Sequence, residues 1–246
     1  MPHSRAQTNN EEMLKRMVGD GDLRQQALDL LVKVSRYRYS YNFNWLGRPI
    51  IQFPEDVIAC QEIVWRIKPD LIVETGVAHG GSLIFWASML HLLSGNGQVV
   101  GIDVEIRKEN RVEIEQHPLF DRITLVEGSS VAEPVLMQVR ALAQGRERVM
   151  VVLDSNHTHV HVRQELELYA PLVRRGSYLI VFDTIVEQMP PNFYPDRPWG
   201  RGDNPKTALT DFLQGTDRFE VDTEIDAKLL LSDAPGGYLR CVKDPA

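Results

Sequence analysis

From Glu11 to about Tyr37 the apolar residues Leu14, Met17, Leu23, Leu28, Leu31 and Val34 recur every three to six positions, broken by Gly19-Asp20-Gly21. This predicts two helices separated by a turn. Tyr37 to Trp45 then carries aromatics at period two (Tyr37, Tyr39, Tyr41, Phe43, Trp45) and ends in Leu46-Gly47-Arg48-Pro49. It reads as an extended stretch packed on the main domain, the alternative being a wall of a substrate pocket. Helical spacing returns over Asp56 to Ile67, with Pro54 and Glu55 as first-turn residues.

Past Pro69 short apolar runs alternate with longer helical patterns. Strands are expected at Leu71 to Glu74, Gln98 to Val104, Ile123 to Glu127, Val149 to Asp154 and Tyr178 to Asp183. Helices are expected at Ser82 to Leu93, Val131 to Ala143 and Val160 to Val173, with a weaker pattern from Ile106 to Leu119. Such alternation marks an α/β protein with a mostly parallel sheet covered on both faces. The tail, Phe219 to Ile225 and Lys228 to Val242 around Pro235-Gly236-Gly237, reads as two antiparallel strands at a sheet edge. Between Pro190 and Pro205 five prolines and two glycines deny regular structure. Trp199 in that loop points to a lid or an oligomer contact, with Asp203 or Asn204 capping a helix that begins near Pro205.

Composition narrows the partners. At 246 residues, 43% hydrophobic and 25% charged, the chain is long and apolar enough for a substantial core. The net charge of −7 argues against nucleic acid, which is bound through clustered Lys and Arg. Cys60 and Cys241 have no close-spaced cysteine partner of the kind zinc or redox motifs use, so a reducing cytoplasm is expected. The polar opening from Met1 to Asp20 lacks the apolar run of a secretory signal, and no apolar stretch approaches a membrane span.

The chemistry gathers where strands end. The first strand runs through Glu74-Thr75-Gly76-Val77-Ala78-His79-Gly80-Gly81-Ser82 into an apolar helix. Glycines at such a junction permit a sharp turn and close approach of a ligand to the helix N-terminus. The spacing is neither a P-loop nor the GxGxxG dinucleotide fingerprint, which disfavours a nicotinamide enzyme. Asp103, at the end of the second strand, stands where the two hydroxyls of a ribose would be bonded, with Glu105 the nearest rival. After the third strand Ser129 and Ser130 suit an adenine or ribose, one of them competing as a helix cap.

These elements together resemble class I S-adenosylmethionine-dependent methyltransferases. More narrowly, WLGRPIIQFPEDVIACQEIVWRIKPDLIVETGVAHGGSLIFW, LDSNHTHVHV and WGRGDNPKTA resemble the cephalosporin hydroxylase and rhamnosyl O-methyltransferase-like family, over roughly Tyr37 to Val242. The resemblance implies a Rossmann-like fold with a mostly parallel seven-stranded sheet. It implies O-methylation of a hydroxyl on a small natural product or sugar, with S-adenosylmethionine as donor and a divalent cation such as Mg2+ assisting. Residues 1–68 would form an N-terminal helical extension covering the substrate side, and residues 69–246 the cofactor-binding domain of a homo-oligomer. The cofactor set is then Glu74, Gly76, His79, Gly80, Gly81, Ser82, Asp103, Ser129, Ser130 and Asp154.

Asp154 and Asp183 end the fourth and fifth strands, so a sheet of this kind brings them to one crevice. Two adjoining carboxylates repel unless a proton or cation intervenes, and hard oxygen ligands suit magnesium. Related metal-dependent methyltransferases place a further acid or amide beside the fifth-strand aspartate, where this chain has Phe182 and Thr184. His157 and His161, four apart, are expected on one helix face. The possible roles for them are a zinc site, capping or packing, and for His157 a general base or substrate contact. The catalytic set is therefore Asp154, His157 and Asp183. A rival of another class is a non-catalytic nucleoside-binding or scaffold protein of the same fold, and a nucleotide-sugar enzyme fits the glycine spacing poorly.

Overall fold

The computed structural model describes residues 5–245, with side chains from Asn10 onward. Residues 1–4, the start of the polar opening read against export, lie outside the described residues. Two helices, α1 (Arg5–Gly19) and α2 (Gly21–Ser35), lead the chain, and Asp20 caps α2 by accepting from the Leu23 N–H at 3.0 Å.

The aromatic stretch is not one extended segment. Arg38 turns left-handed, Tyr39–Asn42 form a 3-10 turn, and only Phe43–Trp45 (β1) is extended, pairing with Arg48–Ile50 (β2). Leu46 and Gly47 take positive φ at the two turn positions, which matches the twist of a two-residue hairpin. Period two here reflects a local aromatic cluster, with Tyr39 edge-on to Phe43 at 5.1 Å, rather than a pleat.

Helix α3 (Pro54–Ile67) precedes the repeating strand and helix units: β3 (Leu71–Thr75), α4 (Gly81–Leu92), β4 (Gln98–Asp103), α5 (Lys108–Glu115), β5 (Ile123–Glu127), α6 (Glu133–Ala143), β6 (Val149–Leu153), α7 (His159–Tyr169) and β7 (Tyr178–Val181). They are followed by α8 (Pro205–Gln214), β8 (Phe219–Val221), α9 (Thr223–Lys228) and β9 (Tyr238–Cys241). The seven-stranded sheet runs β5-β4-β3-β6-β7-β9-β8, parallel from β5 to β7, with β9 antiparallel to both of its neighbours. The tail thus has its two strands at the edge, but a helix intervenes, because Asp222 accepts from the Glu224 and Ile225 N–H groups and starts α9.

Strands β3, β6 and β7 are buried at every position, as parallel strands covered on both faces must be. Alternate side chains divide between two cores. Ile72, Val99, Met150 and Ile180 meet α3 and α4 on one face, while Val73, Val100, Val151 and Leu179 meet α6, α7 and α8 on the other. Helix α3, expected within the N-terminal extension, therefore belongs to the covering layer of the sheet through Ala59, Cys60, Ile63 and Val64. Helix α2 instead joins a small third core in which Leu31 packs with Phe53, Ile185 and Met189. Strand order reverses between β3 and β6, which opens a crevice at their C-terminal ends. Among the described residues no helix is long and apolar enough to cross a membrane.

Candidate active site

A cavity of about 1070 Å³ occupies that crevice. Its floor is the loop from β3 to α4. Gly76 has φ +96°, and a Cβ there would sit 2.1 Å from the Asp154 carbonyl oxygen, so only glycine lets the ends of β3 and β6 close together. At Gly81 a Cβ would fall 2.1 Å from the Pro49 carbonyl oxygen, so the hairpin backbone lies directly on the start of α4. These glycines thus permit close internal packing beneath the cavity as well as a turn. Gly76, His79, Gly80, Gly81, Ser82 and Asp103 all line the cavity. Asp103 holds the loop through its Oδ2, which accepts from Val77 N–H at 2.8 Å and Ala78 N–H at 3.3 Å. Its Oδ1 accepts from Glu105 N–H at 3.2 Å, and a carboxylate has lone pairs left for hydroxyl donors.

Two residues that the sequence reading missed fix this loop. Arg48 donates from Nε and Nη2 to the His79 carbonyl at 3.0 and 2.7 Å, and Asn110 donates to the Ala78 carbonyl at 2.8 Å. Positions 48 and 110 belong to other elements, and their only sequence signal was an arginine beside a hairpin turn.

Three expected cofactor residues do not reach the cavity. Glu74 is 1% exposed beneath the loop, accepting from Ser82 Oγ at 2.8 Å and Trp86 Nε1 at 3.1 Å, and burial pushes its carboxyl up to about 7. Ser130 turns into the layer under α7, where its hydroxyl meets His161 Nε2 at 3.0 Å and its carbonyl accepts from Tyr169 Oη at 2.7 Å. Ser129 also lies off the cavity wall, its carbonyl accepting from Ala132 N–H at 2.9 Å.

Asp154 and Asp183 do meet. With His157 they offer one ligand atom each within 4.8 Å of one another, all three partly accessible from the cavity. Burial, and then the neighbouring charge of Asp183, hold the Asp154 carboxyl well above the usual carboxylate range. Gln52 Nε2 donates to Asp154 Oδ2 at 3.1 Å, and His157 Nδ1 lies 3.4 Å from Asp183 Oδ2. Asp183 takes a left-handed conformation, φ +55°, which turns its side chain at the strand end. Asp233, from the loop before β9, also lines the cavity, and burial followed by the charge of Asp183 raises it well above its ordinary value. The acid that the neighbours of Asp183 do not provide in sequence is thus brought near by a distant turn.

The two histidines do not share a face. His157 precedes α7 and turns to Asp183, whereas His161 lies on α7 with Ser130 and Glu165. The zinc alternative loses its geometry. Over the cavity, Trp199 packs against Tyr194 (ring centroids 4.6 Å apart) and edge-on to His157 (5.0 Å). Asn204 caps α8 in a reciprocal box with Thr207, and Asp203 instead accepts from the His159 N–H at 2.6 Å. Tyr41, the pocket-wall alternative for the aromatic stretch, lines the same cavity with Arg38 and Arg197.

The family model described as rhamnosyl O-methyltransferase/CmcI matches residues 37–242. A rhamnosyl O-methyltransferase of Mycobacterium tuberculosis is 29% identical over 182 residues, 73% of this chain and 70% of that protein. One of Mycobacterium leprae is 28% identical over 141 residues, 57% of this chain and 59% of that protein. A solved CmcI structure with magnesium and S-adenosylmethionine superposes with a TM-score of 0.59 at 20% identity, covering 82% of this chain and 77% of that one. An O-methyltransferase of Bacillus cereus with S-adenosylhomocysteine gives 0.53 at 17% identity, covering 91% and 92%.

Proposed function

Because the chain belongs to the rhamnosyl O-methyltransferase/CmcI family, we propose that it is an S-adenosylmethionine-dependent O-methyltransferase acting on a hydroxyl of a small natural product or sugar. The observation that carries this reading is the meeting of Asp154, Asp183 and His157 beside the glycine loop in one open cavity. A nucleoside-binding scaffold has no use for that acid pair.

The donor set fits a divalent cation. Two carboxylates and an imidazole each offer a ligand atom within 4.8 Å of one another, and burial followed by the charge of Asp183 raises the Asp154 carboxyl, a cost that a positive partner would relieve. Asp154, Asp183 and His157 would hold the ion, and Mg2+ or a similar cation supplies positive charge that favours the deprotonated acceptor hydroxyl. Asp103 and the glycine loop orient the methyl donor. The lid residues Trp199 and Tyr194 exclude water and present flat apolar faces to the acceptor. Methylation of a hydroxyl releases one proton, and without a bound ion His157 would be placed to take it, with Asp183 stabilising the imidazolium across 3.4 Å.

That last contact favours a second reading, in which His157 and Asp183 act as a base pair and no cation is needed. Calorimetry with S-adenosylhomocysteine and turnover of a rhamnoside and catechol panel, with and without EDTA, separate the two. For the cation reading, Asp154→Asn and EDTA both abolish turnover while S-adenosylhomocysteine affinity stays within a few-fold. EDTA-insensitive turnover that is lost in His157→Ala overturns the cation and retains the base. No binding of S-adenosylhomocysteine overturns both.

Beyond the site, Ile58 and Trp65 leave apolar surface on the outer face of α3, 59% and 62% exposed, which supports assembly into homo-oligomers. Two free, buried cysteines support a reducing, cytoplasmic setting. The net charge of −7 supports partners other than nucleic acid.

A further inference from the structure

Gln52 stands in the short connection between β2 and α3, 102 positions from Asp154 in the chain. It is 7% exposed and held between the buried Ile50 and Phe53, which anchor in different cores. Its amide nitrogen makes one hydrogen bond among the described residues, the 3.1 Å donation from Nε2 to Asp154 Oδ2. The other end, Oε1, is buried without a hydrogen-bond partner among the described residues. Leaving a buried amide oxygen unpaired is unfavourable, and glutamine is therefore a poor choice for filling this space alone. Rotating the amide by half a turn would bring Oε1 against the carboxylate of Asp154, acceptor against acceptor. The orientation of the amide is thus set by Asp154.

We infer that Gln52 is a positioning residue for the acid pair: by tying down Oδ2 of Asp154 it presents the remaining oxygen to a divalent cation shared with Asp183 and His157. The inference rests on the cation reading above. The Gln52 amide donates to this carboxyl group from a segment fixed in two cores, and so restrains its rotation. The residue also joins the hairpin, whose Arg48 clamps the cofactor loop, to the cation ligands, so that one connection sets the distance between the two halves of the site.

The test is direct titration of the purified protein with Mn2+, read from the electron paramagnetic resonance signal of free ion, in saturating S-adenosylhomocysteine. Gln52→Met keeps the length of the side chain without a donor, and Gln52→Leu provides a second variant should the first fold poorly. The expected result is Mn2+ binding weakened by about tenfold to a hundredfold, the range found when the hydrogen-bond partner of a metal ligand is removed. S-adenosylhomocysteine affinity measured without metal should stay within about threefold, since Gln52 makes no contact with Asp103. Wild-type Mn2+ affinity in both variants overturns the role of Gln52 and leaves the cation reading standing. Equal losses of Mn2+ and S-adenosylhomocysteine affinity also overturn it, since they show that the segment merely collapses. Failure of the wild type itself to bind Mn2+ overturns the cation reading and this inference with it.

Discussion

Replacing Glu74 by Gln should change how stability depends on pH while leaving the ligand site intact. The carboxyl is 1% exposed, and burial raises it from 4.5 to about 7 against the opposing pull of Trp86 and Ser82. A folded-state value above the unfolded one means that the native protein binds the proton more tightly. The protonated carboxyl is tolerated below about pH 4.5, and stability is lost as the pH rises towards 7 and then levels off. At roughly 1.4 kcal/mol per pH unit of separation, the loss attributable to this group is on the order of 3 kcal/mol. In a chain of 246 residues that corresponds to roughly 6–12 °C in Tm. Glutamine has nothing to ionise. Asp56, raised to about 6 by burial, slopes the same way in both proteins and cancels in the comparison. The assay is urea unfolding of wild type and Glu74→Gln at intervals from about pH 5 to 8. The two curves should separate by roughly 3 kcal/mol across that range, the variant being the more stable at the alkaline end. S-adenosylhomocysteine affinity should differ by no more than a few-fold, because Glu74 lies under the loop. Parallel stability curves would refute the burial argument, and a large loss of affinity would return Glu74 to the cofactor site.

Asp103→Ala removes the acceptor of two loop N–H groups and the ribose-facing carboxylate, so calorimetry should find S-adenosylhomocysteine bound roughly tenfold to a hundredfold more weakly. Unchanged affinity would take Asp103 out of the site. Gly81→Ala places a methyl 2.1 Å from the Pro49 carbonyl, and forcing hairpin and helix apart should cost about 1–3 kcal/mol in chemical unfolding. A variant as stable as wild type would show that the hairpin yields freely.

What was legible in the sequence is what period and punctuation determine. Apolar runs such as Val149–Leu153 are strands because a parallel sheet covered on both faces needs side chains that are apolar at every position, and the glycines after Glu74 mark the turn between strand and helix. Asp103, Asp154 and Asp183 were legible for the same reason, since strand ends of a doubly wound sheet share one edge. The helix at Thr223–Lys228 and the 3-10 turn at Tyr39–Asn42 were not, because short segments follow a single cap or aromatic contact rather than a period.

The rest was decided only by folding. Glu74 sits beside the glycines in sequence yet points into the core, because Trp86, one strand-to-helix turn away, offers it a buried donor. Ser130 and His161, read as a nucleoside contact and a face-mate of His157, bond each other because α7 packs over the loop after β5. Arg48 stands beside a hairpin turn and Gln52 close after it, but neither these two nor Asp233 carries a local pattern that marks a role in the site. Each acquires its role from a partner dozens to more than a hundred positions away, and a hydrogen bond depends on a separation in space of about 3 Å that no spacing along the chain encodes.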